Sequence, residues 1–147
     1  MPSSAASDVY KRQTEMFVSL CYVVIDPVAG KVQYSNAGHP HAWVFRSNGD
    51  SVRLGATDPP MGFAGPDSYA GEGLSWQNGD TLVLFTDGLS DTLATPEPGS
   101  GEATVLDAVE RELEADPAHI VDVLFEMAAA ATPYNPVDDR TALVLRT

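Results

Sequence analysis

The chain opens without pattern. Residues 1–13 are small, polar and aperiodic, and are expected to be a disordered or foreign leader. Pattern starts at Met16. Residues 16–25 are dense in Val, Tyr, Phe and Ile, which suit a pleated, half-buried surface and predict a strand. The turn cluster Asp26-Pro27-Val28-Ala29-Gly30 follows, then residues 31–36 alternate with Val32 and Tyr34 on one face, completing a hairpin signature. Residues 41–46 predict a third strand. The turn Ser47-Asn48-Gly49-Asp50 has Asn-Gly at its centre, and residues 51–54 form the return. Residues 55–80 are rich in Gly and Pro and read as irregular. The unbroken apolar run Thr81-Leu82-Val83-Leu84-Phe85 fits a strand buried on both faces. After Asp87-Gly88 the chain reads as polar through Pro96-Glu97-Pro98-Gly99-Ser100-Gly101. A helix is expected over about 103–114, with Val105, Leu106, Val109 and Leu113 on one stripe. A second starts at Asp116 as N-cap and Pro117 as first helical residue, with Ile120, Val121, Leu124 and Met127 on its apolar face. Residues 141–145 form a last strand. Hairpinned strands, a strand, two helices and a strand make an α+β fold with a largely antiparallel sheet.

Charge narrows the range of functions. The 147 residues carry 8 Lys and Arg against 21 Asp and Glu, a net charge of −13. Such a chain has no bulk electrostatic hold on DNA, RNA or an anionic membrane surface. The single cysteine, Cys21, lies in an apolar run, makes no internal disulfide and reads as a small hydrophobe. No apolar stretch approaches the roughly 20 residues of a membrane span, and residues 1–13 lack the apolar core of a signal peptide, so a cytoplasmic setting is expected.

Two acidic sites sit at strand ends. Asp87 follows the apolar run directly, with Gly88 beside it to permit a sharp turn and close approach of a ligand. Asp138 and Asp139 precede the last strand. If the two strands pair, these carboxylates make a hard-oxygen site suited to Mg²⁺ or Mn²⁺; otherwise Asp-Gly is a turn and Asp-Asp a solvated loop. A third feature is Asn36-Ala37-Gly38-His39-Pro40-His41, where a histidine serves as ligand, general acid or turn anchor. His39 and His41 are two apart, which suggests a metal pair, but no third His lies near to complete a zinc site. His119 reads as a surface residue, and Trp43 and Trp76 as packing. Leu84-Phe85-Thr86-Asp87-Gly88 has the look of an aspartyl-phosphate-forming phosphatase motif. That chemistry needs an Asp nucleophile where Phe85 stands.

Four ordered segments carry a resemblance: residues 16–27, then Tyr34-Ser35-Asn36-Ala37-Gly38-His39-Pro40, then residues 79–91, then residues 138–146. Together they resemble the metal-dependent PPM-type (protein phosphatase 2C-like) serine/threonine phosphatases of the bacterial stage II sporulation E branch. The resemblance implies a β-sandwich of mostly antiparallel strands flanked by helices, with two Mn²⁺ or Mg²⁺ ions at one end. Asp87 and Asp138 match metal-binding positions, Asp139 less well; Gly88, Asp139, Asn36 and His39 would support the site or fix its turns. A metal-activated water, not a protein nucleophile, would attack phosphoserine or phosphothreonine on a regulatory protein such as an anti-sigma antagonist. The family's earlier block, with its metal-bridging Asp, has no counterpart before Met16. Residues 14–147 are therefore expected to be the C-terminal part of such a domain, with apolar surface left uncovered and room for a sensor domain upstream. The alternatives are a non-catalytic relative acting as a binding or regulatory module, and an acidic domain that binds a small ligand in its Gly/Pro-rich middle.

Overall fold

The continuous apolar run at 81–85 has two faces to bury, and the computed structural model shows what covers each. It describes residues 16–62, 70–133 and 138–147. The expected leader, residues 63–69 of the Gly/Pro-rich middle and Val137 lie outside the described residues. Among the described residues, seven strands form two antiparallel sheets: β1 (Leu20–Asp26), β2 (Lys31–Ala37), β3 (His41–Phe45), β4 (Ser51–Arg53), β5 (Glu72–Ser75), β6 (Thr81–Phe85) and β7 (Ala142–Arg146). The first sheet has the order β1-β2-β5 and the second β4-β3-β6-β7. Among the described residues three helices, α1 (Asp87–Leu93), α2 (Ser100–Arg111) and α3 (Pro117–Ala130), pack on the second sheet.

Period-two alternation splits β6 between two cores. Val83 and Phe85 face the helices with Phe45, Leu89, Val105, Val109, Ile120 and Leu124. Leu82 and Leu84 face the first sheet and share a core with Ala42 and Val44 of β3 and with Val32, Tyr34, Leu54 and Trp76. The fold is therefore an α+β sandwich with helices against one face, as expected. Strand pairing also follows the pattern: Val32 and Tyr34 point inward, and the β1–β2 hairpin runs in register from Leu20 opposite Ala37 to Asp26 opposite Lys31. Both tryptophans pack, Trp76 in the inter-sheet core and Trp43 against the helical one. Cys21 is a half-buried free thiol, and burial pushes its pKa up.

Four expectations need correction. The strand expected from 16 begins at Leu20, with Val18 reaching only an isolated bridge to Met61. The segment after Asp87, expected as a polar stretch with no helix, is helix α1 over Asp87–Leu93. Its Gly, Ser, Asp and Thr are weak helix formers, so propensity hides it. Tertiary burial of Leu89 and Leu93 decides the conformation, and the Ser90 and Thr92 hydroxyls satisfy the carbonyls of Asp87 and Gly88. Residues 72–75, in the expected irregular middle, form edge strand β5 on β2. The helix expected over 103–114 begins three residues earlier and ends at Arg111. The next helix starts as expected at Asp116 and Pro117, although the Asp116 side chain makes no capping bond.

Candidate functional site

Register places the candidate residues. His41 opens β3 opposite Phe85, which closes β6, and Phe85 lies opposite Ala142, which opens β7. This end of the second sheet therefore presents His41, the loop after β6 and the loop before β7 side by side. Asp87 is the first residue of α1 and its side chain is 68% exposed.

Gly88 explains how the two acidic loops meet. It is buried, and a Cβ there would run into the carbonyl oxygens of Asp138 and Asp139. The close approach expected of a ligand is thus made by the chain's own backbone. Thr86 ties the loops further: its Oγ1 donates to the Asp139 carbonyl and accepts from Thr141 N–H at 3.0 Å, and its N–H donates to the Thr141 carbonyl at 3.1 Å. Asp138 and Asp139 are exposed, and Asp138 Oδ1 accepts from Asp139 N–H at 2.8 Å. The pairing condition for a shared acidic site is met, since β6 and β7 are neighbours. Among the described residues, no group of three or more His, Cys, Asp or Glu side chains is arranged to hold one ion.

Asn36 and His39 anchor the turn between β2 and β3. Buried Asn36 donates through Nδ2 to the carbonyls of His39 and Leu54, both at 2.9 Å, and accepts the His39 N–H at 2.8 Å. The His39 ring lies 3.2 Å through Nε2 from the His41 carbonyl, and burial holds its pKa below the ordinary imidazole value. His39 and His41 therefore do not form a metal pair: one meets the backbone and the other meets carboxylates. His119 is a surface residue, 3.3 Å from Glu112.

Sequence reasoning missed the polar cluster centred on His41. The buried ring stacks on Phe85 with centroids 4.5 Å apart and planes 6° from parallel. Nε2 meets Asp87 Oδ1 at 2.8 Å, and Nδ1 is hydrogen-bonded to Glu102 Oε2. Each ring nitrogen thus has a carboxylate oxygen within hydrogen-bond reach. Glu102 arrives from α2 because Gly101 lets that helix close on α1: a Cβ at Gly101 would strike the Ser90 carbonyl. A cleft of about 350 Å³ lies beside His41, Asp87, Ser90 and Glu102. Ser90 Oγ is 3.2 Å from His41 Nε2, which gives Ser90, His41 and Glu102 the outline of a nucleophilic triad. The closer Asp87 carboxylate claims that nitrogen, and the Ser90 hydroxyl donates to the Asp87 carbonyl at 3.1 Å. Ser90 thus has no base to activate it. No sequence signal joins His41 to Glu102, 61 positions away.

Comparison with known proteins follows the same lines. The family model described as stage II sporulation protein E (SpoIIE) matches residues 4–147. Phosphoserine phosphatase RsbP of Bacillus subtilis is 33% identical over 79 residues, covering 54% of this chain and 20% of that protein. The structure of the RsbU and RsbW domains of Rv1364c from Mycobacterium tuberculosis superposes with a TM-score of 0.73 at 23% identity, covering 97% of this chain and 40% of that one. The PP2C phosphatase domain of SpoIIE from Bacillus subtilis, with a fragment of its regulatory domain, gives a TM-score of 0.68 at 20% identity, over 88% of this chain and 37% of that one. A structure of the SpoIIE phosphatase domain from Bacillus subtilis is also known in an Mn-presoaked form. The chain thus has the PP2C-type fold and spans well under two thirds of the length of each of these relatives.

Proposed function

The chain belongs to the stage II sporulation protein E (SpoIIE) family, and on that premise we propose that it forms part of a metal-dependent phosphatase acting on phosphoserine or phosphothreonine in a regulatory protein, such as an anti-sigma antagonist. One observation carries this reading. The antiparallel pairing of β6 with β7, and the seating of Gly88 on the Asp138–Asp139 backbone, bring the loops of Asp87 and Asp138 to one end of the sheet.

The donors suit the cation. Asp87 Oδ2 has no hydrogen bond among the described residues, and Asp138 is exposed. Hard carboxylate oxygens, one or two of them with water and phosphate completing the shell, are what Mg²⁺ takes; Mn²⁺ accepts the same donors. Asp87 and Asp138 would hold the ion, which when bound supplies an activated water and neutralises phosphate charge. The neutralisation matters because a net charge of −13 otherwise repels a phosphoprotein. Asp139 contributes its backbone to the loop, and Gly88, Asn36 and His39 fix the backbone around it. With no activated serine in the cluster, the chain offers no protein nucleophile there, in keeping with attack by water.

The two-carboxylate donor set favours one second reading: a non-catalytic module that binds the phosphoprotein without turning it over. The two part in one assay. Hydrolysis of p-nitrophenyl phosphate and of a phosphoserine peptide is followed with and without Mn²⁺, for this chain and for one extended upstream. The phosphatase reading expects Mn²⁺-dependent turnover that Asp87→Asn or Asp138→Asn lowers by about 100-fold, in line with loss of a major transition-state contact. Saturable peptide binding with no turnover in either length supports the binding module instead. Among the described residues no helix is long and apolar enough to cross a membrane.

A further inference from the structure

Taking Asp87 as a cation ligand, the reading on which this inference rests, the geometry points to His41 and Glu102 as the pair that positions it. We propose that a Glu102–His41–Asp87 chain of hydrogen bonds fixes Asp87 Oδ1 and so presents Oδ2 to a divalent cation.

The His41 ring cannot turn freely: it is stacked on core residue Phe85, its side chain is 11% exposed, and Glu102 holds Nδ1 from behind. Its Nε2 therefore points in a set direction, and Asp87 Oδ1 lies on that line at 2.8 Å. Ser90 lies beside the same nitrogen and bonds the Asp87 carbonyl, so backbone and side chain of Asp87 are both held. Asp87 itself stands mostly in solvent, with 68% of its side chain exposed. A pair with so exposed a partner contributes little to stability. It contributes much to orientation, because an otherwise mobile carboxylate is held in one rotamer. Partners of this kind behind a metal ligand are worth about 10- to 100-fold in metal affinity. Reach from three elements makes the device specific: β3 supplies His41, α1 supplies Asp87 and α2 supplies Glu102, with Gly101 allowing the last approach.

The test is a Mn²⁺ titration of the 147-residue chain, with free Mn²⁺ read from its paramagnetic resonance signal and metal-free thermal unfolding run in parallel. His41→Phe keeps the ring stack and removes both hydrogen bonds. It is expected to weaken Mn²⁺ binding about tenfold with an unfolding midpoint close to that of the unaltered chain. Glu102→Ala weakens binding by a smaller factor, and Glu102→Gln, which keeps an acceptor for Nδ1–H, restores it. Asp87→Asn removes binding. If His41→Phe binds within twofold of the unaltered chain while Asp87→Asn does not bind, the positioning role is overturned and the reading of Asp87 stands. If Asp87→Asn binds as the unaltered chain does, or neither the unaltered chain nor one extended upstream binds at all, both are overturned. A second measurement needs no variant. The ring ¹⁵N resonances of His41 should move with the Mg²⁺ binding curve while those of His119 stay still, and a stationary His41 at saturation overturns the proposal.

Discussion

Gly88 would pass on inspection for an ordinary turn glycine beside a functional Asp, yet its packing gives it a stricter task. The absent side chain is the space through which the 138–139 backbone passes, so any Cβ must displace a rigid carbonyl rather than a flexible side chain. Overpacking of this kind costs about 1–3 kcal/mol, and the displaced backbone carries Asp138 with it. Gly88→Ala is expected to lower the free energy of unfolding by roughly 2 kcal/mol in a urea titration. It should also weaken Mn²⁺ binding, although it touches no carboxylate. A variant as stable as the parent would show that the two loops are not pinned together. The residue pair was visible in the sequence, as Asp-Gly after an apolar run and Asp-Asp before the last strand. The reason for the glycine was not, because it depends on a neighbour some 50 positions away. His41 illustrates the same limit: beside His39 it suggested a metal pair, while its partners Asp87 and Glu102 become neighbours only once β3, α1 and α2 have packed.

At the scale of elements, the strands that alternate or run apolar were legible because burial sets their pattern; β2, β3, β6 and β7 fall within a residue or two of expectation. Helix α1 and strand β5 were not, because neither carries its own signal. The first is a weak helix former held by packing, and the second is a short edge strand, Glu72-Gly73-Leu74-Ser75, whose conformation β2 dictates. One side chain joins several of these elements. Asp80 is fully buried at the start of β6, and its carboxylate accepts from Arg46 at the end of β3 at 2.7 Å, from Ser47 N–H at 3.2 Å and from Gln77 N–H at 2.9 Å. Arg46 also donates to the Ser75 carbonyl that ends β5, at 2.6 Å. Removing one partner of so buried a pair strands the other and orphans two amide donors. Asp80→Ala is therefore expected to cost about 3–5 kcal/mol, enough to unfold a large fraction of a marginally stable domain. Asp50→Ala, on the exposed neighbouring turn, should stay within about 0.5 kcal/mol. Equal midpoints for the two in thermal unfolding would show that Asp80 is not the tie between the sheets.

For the molecule as a whole, two properties oppose each other. Among the described residues, β1 and β7 are edge strands of their sheets. Between them runs an apolar groove of about 500 Å³ lined by Cys21, Val23, Ile25, Leu82, Leu84, Leu143 and Leu145, with Leu143 and Leu145 exposed. A patch of this kind takes up apolar dyes. The net charge of −13 works against any anionic one. Charge repulsion acts across tens of ångströms at low salt and only about 8 Å at physiological ionic strength, whereas burial of apolar area does not depend on screening. The folded protein is therefore expected to enhance the fluorescence of the anionic dye ANS weakly at about 10 mM salt and more strongly at about 150 mM. Leu143→Glu places a carboxylate in the groove without removing buried packing. It should suppress the dye signal at both salt concentrations while the unfolding midpoint moves by no more than an ordinary surface substitution allows, about 0.5 kcal/mol. Dye emission that is unchanged in Leu143→Glu, or that falls with salt, would place the bound dye elsewhere on the surface and show that the groove closes in solution.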